Sequence, residues 1–139
     1  MSRLHQVVRL TVVAVSLLLS PPAWAADASP DAEGQQLYLR YCSACHGESA
    51  NGNGVVSGLM RPKPADLTQL AKRAGGTFSS AAVTATIDGR GTLRAHGDPN
   101  MPVWGEVLNQ EEGPALDKET RTRTKLVQIT AYLESIQAK

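Results

Sequence analysis

Cysteine is scarce in this chain. Two occur in 139 residues, and both fall within the four-residue stretch Cys42 to Cys45, so none is left for any other role. Alternating apolar and polar patterning is also missing, which argues against a sheet and for an all-α domain. No segment repeats. A formal charge of +1 shows no basic excess, so nucleic acid is not an expected partner. The apolar run near the N-terminus, Leu10 to Leu19, is ten residues long and broken by Thr11 and Ser16, whereas a bilayer crossing takes about 20.

That run reads as part of an export signal instead. Arg3 and Arg9 precede it, Pro21 and Pro22 end it, and Ala23-Trp24-Ala25 gives a small-x-small cleavage pattern. The sequence therefore predicts a signal peptide over 1–25, a short leader over 26–30, one domain over 31–139, and a periplasmic location without a firm membrane anchor. Cleavage removes two arginines and leaves 114 residues, with twelve basic against thirteen acidic side chains. A domain of that size has a thin apolar core of its own.

Helical periodicity appears in several places. A helix is expected from Asp31 to about Tyr41, with Leu37 and Tyr41 on one face. Gly34 weakens that helix unless something large packs against its bare backbone. Asn51-Gly52-Asn53-Gly54 favours turns, and Pro62 and Pro64 hold the following stretch extended. Short helices are predicted over Leu67 to Arg73 and from Ser79 or Ser80 to Ile87, the latter stopped by Gly89. Residues 91–104 read as a polar loop, and 109–124 as charged and mostly loop. The clearest helix runs from about Lys125 to Gln137, with Leu126, Ile129, Leu133 and Ile136 as its apolar stripe.

The two cysteines belong to Cys42-Ser43-Ala44-Cys45-His46. Two thiols at this spacing, followed at once by an imidazole, form the signature of covalent c-type haem attachment. A redox dithiol would want a βαβ setting, and a zinc site would want two more ligands; the chain offers neither. One motif predicts one haem c, held through Cys42 and Cys45, with His46 on the iron. The second ring nitrogen of His46 needs an acceptor. A carbonyl near Pro62 or Pro64 fits, Pro64 first. For the other axial position, a methionine thioether would make a high-potential electron carrier, whereas an open position would admit small molecules. Met101, in a proline-bearing polar loop, is the leading candidate. His96, Met60 and an open site are the alternatives. Arg90 and Trp104 are candidate partners for the haem propionates, with Arg94 and His96 nearby.

These features resemble a monohaem class I cytochrome c of the exported bacterial type. Gly34 and Tyr38 ahead of the Cys42–His46 run resemble the N-terminal helix of that family, and Ala131-Tyr132-Leu133 resembles its C-terminal helix. The resemblance implies a small cytochrome c fold in which the two terminal helices cross beside one covalently bound haem, with Gly34 close to Tyr132. Pro64 resembles the proline whose carbonyl serves the proximal histidine, and Met101-Pro102 the distal ligand loop. The charged stretch Glu111 to Arg123 is longer than the compact family pattern needs. The resemblance implies one-electron transfer between periplasmic or membrane-bound redox proteins, with no catalytic residue. A fixed subunit of a larger oxidoreductase is the alternative, and a small haem enzyme or gas sensor a third.

Overall fold

A computed structural model of the chain describes residues 30–91 and 101–139. The expected signal peptide and most of the leader lie outside the described residues, as do Arg94 and His96.

Among the described residues there are helices and no strand. Helix α1 spans Pro30–Tyr41, and α2, a single turn, spans Ser43–His46. Short 3-10 turns follow at Ser57–Leu59 and Leu67–Gln69, the second running into α3, Leu70–Arg73. Helix α4 is Ser80–Asp88, α5 is Trp104–Glu111 and α6 is Lys118–Ser135.

Local chemistry accounts for these boundaries. Asp31 and Glu33 place negative charge in the first turn of α1, where the helix dipole favours it. The Asp66 carboxylate accepts from the Thr68 N–H at 2.9 Å and starts the Leu67–Gln69 turn. Ser79 caps α4, and Gly89, at φ +68°, ends it in the left-handed conformation that glycine adopts without strain.

Helices α1 and α6 cross at Gly34. A Cβ built there would lie 2.1 Å from the Gln128 carbonyl oxygen and 3.0 Å from the Tyr132 Cβ, so only a bare backbone allows the approach. Tyr38, one turn further on, stacks obliquely on Tyr132 with ring centroids 5.3 Å apart. Below this crossing the core is filled by Leu108 from α5 and by Leu126, Ile129 and Leu133 from α6, all nearly inaccessible.

Two elements differ from the sequence expectation. Helix α6 starts at Lys118, about seven residues before the expected Lys125. Its first two turns turn a single polar residue, the fully buried Thr122, toward the core, so the apolar periodicity is hidden there. Helix α5 occupies part of what read as loop; Leu108 is its one fully buried apolar side chain. The charged stretch thus has a structural role. Glu112 pairs with Arg121 at 3.0 Å and also with Lys125, which fastens the α5–α6 connection to α6.

Candidate haem site

Cys42, Cys45 and His46 sit where α1 hands over to α2. The Cys42 N–H donates to Tyr38 at 2.8 Å, continuing the α1 ladder, and the His46 N–H donates to Cys42 at 2.9 Å. A residue and its i+3 and i+4 neighbours share a helix face. Both thiols and the imidazole accordingly line one cavity of about 490 Å³. That size falls within the usual range for cofactor pockets.

The one-turn α2 has few hydrogen bonds of its own, and the Asn51–Gly54 loop supplies the rest. Gly52, Gly54 and Val56 donate their N–H groups to the carbonyls of His46, Cys45 and Ala44 at 2.8, 3.1 and 3.1 Å. Such close approach requires glycine. A Cβ on Gly54 would lie 2.2 Å from the Ala44 oxygen, and one on Gly52 would lie 2.5 Å from the Pro64 oxygen. From the sequence this segment reads only as a turn. The alternation of Gly52 and Gly54 was the available signal that a backbone runs alongside.

The imidazole acceptor differs by one residue from the expectation. His46 Nδ1 lies 2.9 Å from the carbonyl of Ala65, not of Pro64. The Pro64 carbonyl is turned instead toward the bare Gly52 backbone. Pro64 is still buried and lines the cavity. With Nδ1 donating to a carbonyl, Nε2 is the nitrogen left to meet a metal.

The other walls are mostly apolar. Leu67 and Leu70 come from the α3 region, Val83 and Ile87 from α4, and Ile129 and Leu133 from α6. The C-terminal end of the chain closes this ring: Gln137 donates to Leu67 and Leu133 at 2.8 and 2.6 Å and accepts from Ala71 at 2.9 Å. Met101, Pro102 and Trp104 also line the cavity, and so does Met60. Trp104 packs on Tyr41 with centroids 5.5 Å apart, and the Tyr41 hydroxyl donates to Glu111 at 2.6 Å. Burial first, and that hydrogen bond second, raise the Tyr41 pKa above its ordinary value.

Arg90 does not take the place expected of it. It is absent from the cavity wall, and its guanidinium is engaged by Asp88 at 2.6 Å and Glu119 at 2.8 Å. Gly105 makes room for this cluster; a Cβ there would lie 1.8 Å from Asp88 Oδ1. Hydrogen bonding to Arg90 holds both carboxyls below their ordinary range. Each therefore adds stability above the unfolded carboxylate values of about 3.9–4.3, and that stability is lost as the pH falls through the lower folded values. Arg90→Met should be less stable than the parent at pH 7, and the gap should shrink toward pH 3. Urea denaturation across that range checks this; a gap that stays constant would mean packing alone is at work.

The donor set decides what the cavity can hold. Burial, with the nearby Cys45 second, pushes the Cys42 thiol up to about 12. A reactive dithiol needs a lowered value. No group of three or more His, Cys, Asp or Glu gathers for a metal ion among the described residues. Two thiols and a metal-ready imidazole on an apolar wall do suit a c-type haem. Residues 29–116 match the family described as cytochrome c oxidase, cbb3-type, subunit III. The chain belongs to this family of class I c-type cytochromes. The cytochrome is also 29% identical to cytochrome c6 of Rippkaea orientalis (strain PCC 8801 / RF-1) over 112 residues, covering 81% of this chain and 85% of the relative. No solved structure matches it significantly. Family membership makes it a haem electron-transfer protein rather than an enzyme in itself, and agrees with the all-α cytochrome c fold. No helix among the described residues is long and apolar enough to cross a membrane.

Proposed function

We propose that this cytochrome is an exported one-electron carrier holding a single haem through Cys42 and Cys45, with His46 and Met101 as axial ligands. One observation carries the reading: a single cavity is lined by both thiols, by an imidazole whose Nδ1 already donates, and by Met101. The bound group supplies an iron that alternates between ferric and ferrous states. The chain's own residues keep the surroundings alike in both. The Ala65 carbonyl fixes the His46 ring, the Gly52–Gly54 loop fixes the α2 backbone, and the aliphatic walls exclude water. Trp104, on the wall beside Met101, is positioned to shape the distal side. Thioether ligation raises the reduction potential. Partners would be protein donors and acceptors in or at the edge of the periplasm.

A second reading, a fixed subunit of a larger oxidoreductase, is favoured by the description of the matched family. Copurification with a catalytic subunit after mild solubilisation would support it over the free carrier. Both readings require the same cofactor chemistry. The mature protein, made with cytochrome c maturation machinery, should keep haem-linked staining on denaturing gels, contain one haem per chain and titrate reversibly with one electron. Colourless protein, or haem lost on denaturation, would sink the proposal.

A further inference from the structure

Arg90, Asp88 and Glu119 are absent from the cavity wall. The Arg90 guanidinium grips both carboxylates with two contacts each, Asp88 at 2.6 and 3.2 Å and Glu119 at 2.8 and 2.9 Å. The Asn109 side-chain amide also donates to Glu119, at 2.9 Å. One network thus joins the end of α4, the middle of α5 and the first turn of α6. Surface ion pairs are worth little one at a time, but two-pronged arginine pairing within a network is the exception. The Arg90 side chain is only 26% exposed, which limits competition from water.

This network stands on both flanks of Met101. Arg90 precedes Met101 by eleven residues, and Val103 follows it by two. The flanks meet, since a Cβ on Gly89 would lie 3.4 Å from Val103 Cγ1. Gly105, in the first turn of α5, leaves room for Asp88 Oδ1 and Arg90 Nε, which a Cβ there would approach to 1.8 and 2.4 Å. Met101 lines the cavity within four residues of these anchored positions, so its reach depends on where they are held.

We propose that Arg90, tied to Asp88 and Glu119, is a positioning residue that holds Met101 against the iron. The proposal rests on the Met101 ligation read above and adds what keeps that ligand in place. Arg90 acts through the stem where Gly89 meets Val103, not by touching the haem. A form with Met101 detached is a minor conformer. Carbon monoxide binds only that form, so its observed binding rate follows that population.

Two variants attack the clamp by different means. Arg90→Met removes the charge, whereas Gly105→Ala wedges the cluster apart with no charge lost. In the holoprotein, each should weaken the ferric sulfur-to-iron charge-transfer band. Each should also speed carbon monoxide binding to the ferrous form by about threefold or more. Arg90→Lys, which cannot fork between two carboxylates, should recover part of the band. Arg121→Met breaks the Glu112 pair on the same α5–α6 connection. It should lose stability yet leave the band and the rate at the parent level. If Arg90→Met yields no holoprotein, Glu119→Gln, at a half-exposed position, takes its place. A parent-like band and rate in Arg90→Met or Gly105→Ala, or equal effects of Arg121→Met, would overturn the clamp alone. A parent protein without the band, or a band that survives Met101→Ala, would overturn the ligation reading instead.

Discussion

Gly34→Leu should destabilise the holoprotein by more than about 3 kcal/mol, the upper end of ordinary overpacking. The reason is what stands opposite. Even a Cβ at this position would meet the Gln128 carbonyl oxygen at 2.1 Å, and that oxygen belongs to the α6 backbone, which cannot rotate away as a side-chain tip could. Relief requires α1 and α6 to separate. Separation would strip the Tyr38–Tyr132 contact and loosen the hold on Tyr38, whose hydroxyl donates to the Gly47 carbonyl at 2.6 Å beside the haem motif. Glycine inside a helix costs roughly 1 kcal/mol relative to alanine, and the close crossing offsets that. Against a typical net stability of 5–15 kcal/mol, a loss of this size is severe. Gly58→Ala serves as the control, since a Cβ there meets nothing within 4 Å, and should stay within about 0.5 kcal/mol of the parent. Urea denaturation of the holoprotein reads both. A Gly34→Leu protein as stable as the parent would mean that the helices cross elsewhere.

The same crossing shows which parts of this molecule are legible from sequence. Gly34 is hard to explain in a helix unless something large packs on its bare backbone; the family resemblance supplies Tyr132 as that partner and adds Tyr38, and the structure puts the three together. The attachment motif is legible because its chemistry is carried by neighbours in sequence. Arg90 was misread because an arginine's destination depends on which carboxylates folding brings within reach. Glu119, 29 residues away, could not be foreseen as its partner. The His46 acceptor missed by one residue for a similar reason: whether the Pro64 or the Ala65 carbonyl faces the ring is fixed by the Gly52 backbone packed behind them. The start of α6 was hidden because Thr122 occupies the buried stripe where an apolar residue would have marked it.

Met101→Ala carries the largest expected functional effect. Loss of the thioether should open the sixth coordination position, lower the reduction potential and abolish the weak sulfur-to-iron charge-transfer band of the ferric protein. Carbon monoxide and cyanide should then bind faster by about tenfold or more, the factor given by removing only 1.4 kcal/mol of barrier. Met60 makes the comparison informative, because it lines the same cavity and carries the same sulfur chemistry. It stands only 14 residues after His46, in a segment whose 3-10 turn, Ser57–Leu59, follows directly on the loop bonded to α2. With so short a tether Met60 is expected on the proximal side, whereas Met101 arrives after α4 and immediately ahead of α5. Met60→Ala should therefore keep the charge-transfer band and slow ligand binding, and Met101→Ala should lose both. The reverse result would transfer the axial role to Met60. If both single variants keep the band, neither methionine is its source. If the unaltered holoprotein lacks the band and binds carbon monoxide on mixing, the distal position is open, and electron carriage would give way to a small-molecule function in which His96 is the first residue to change.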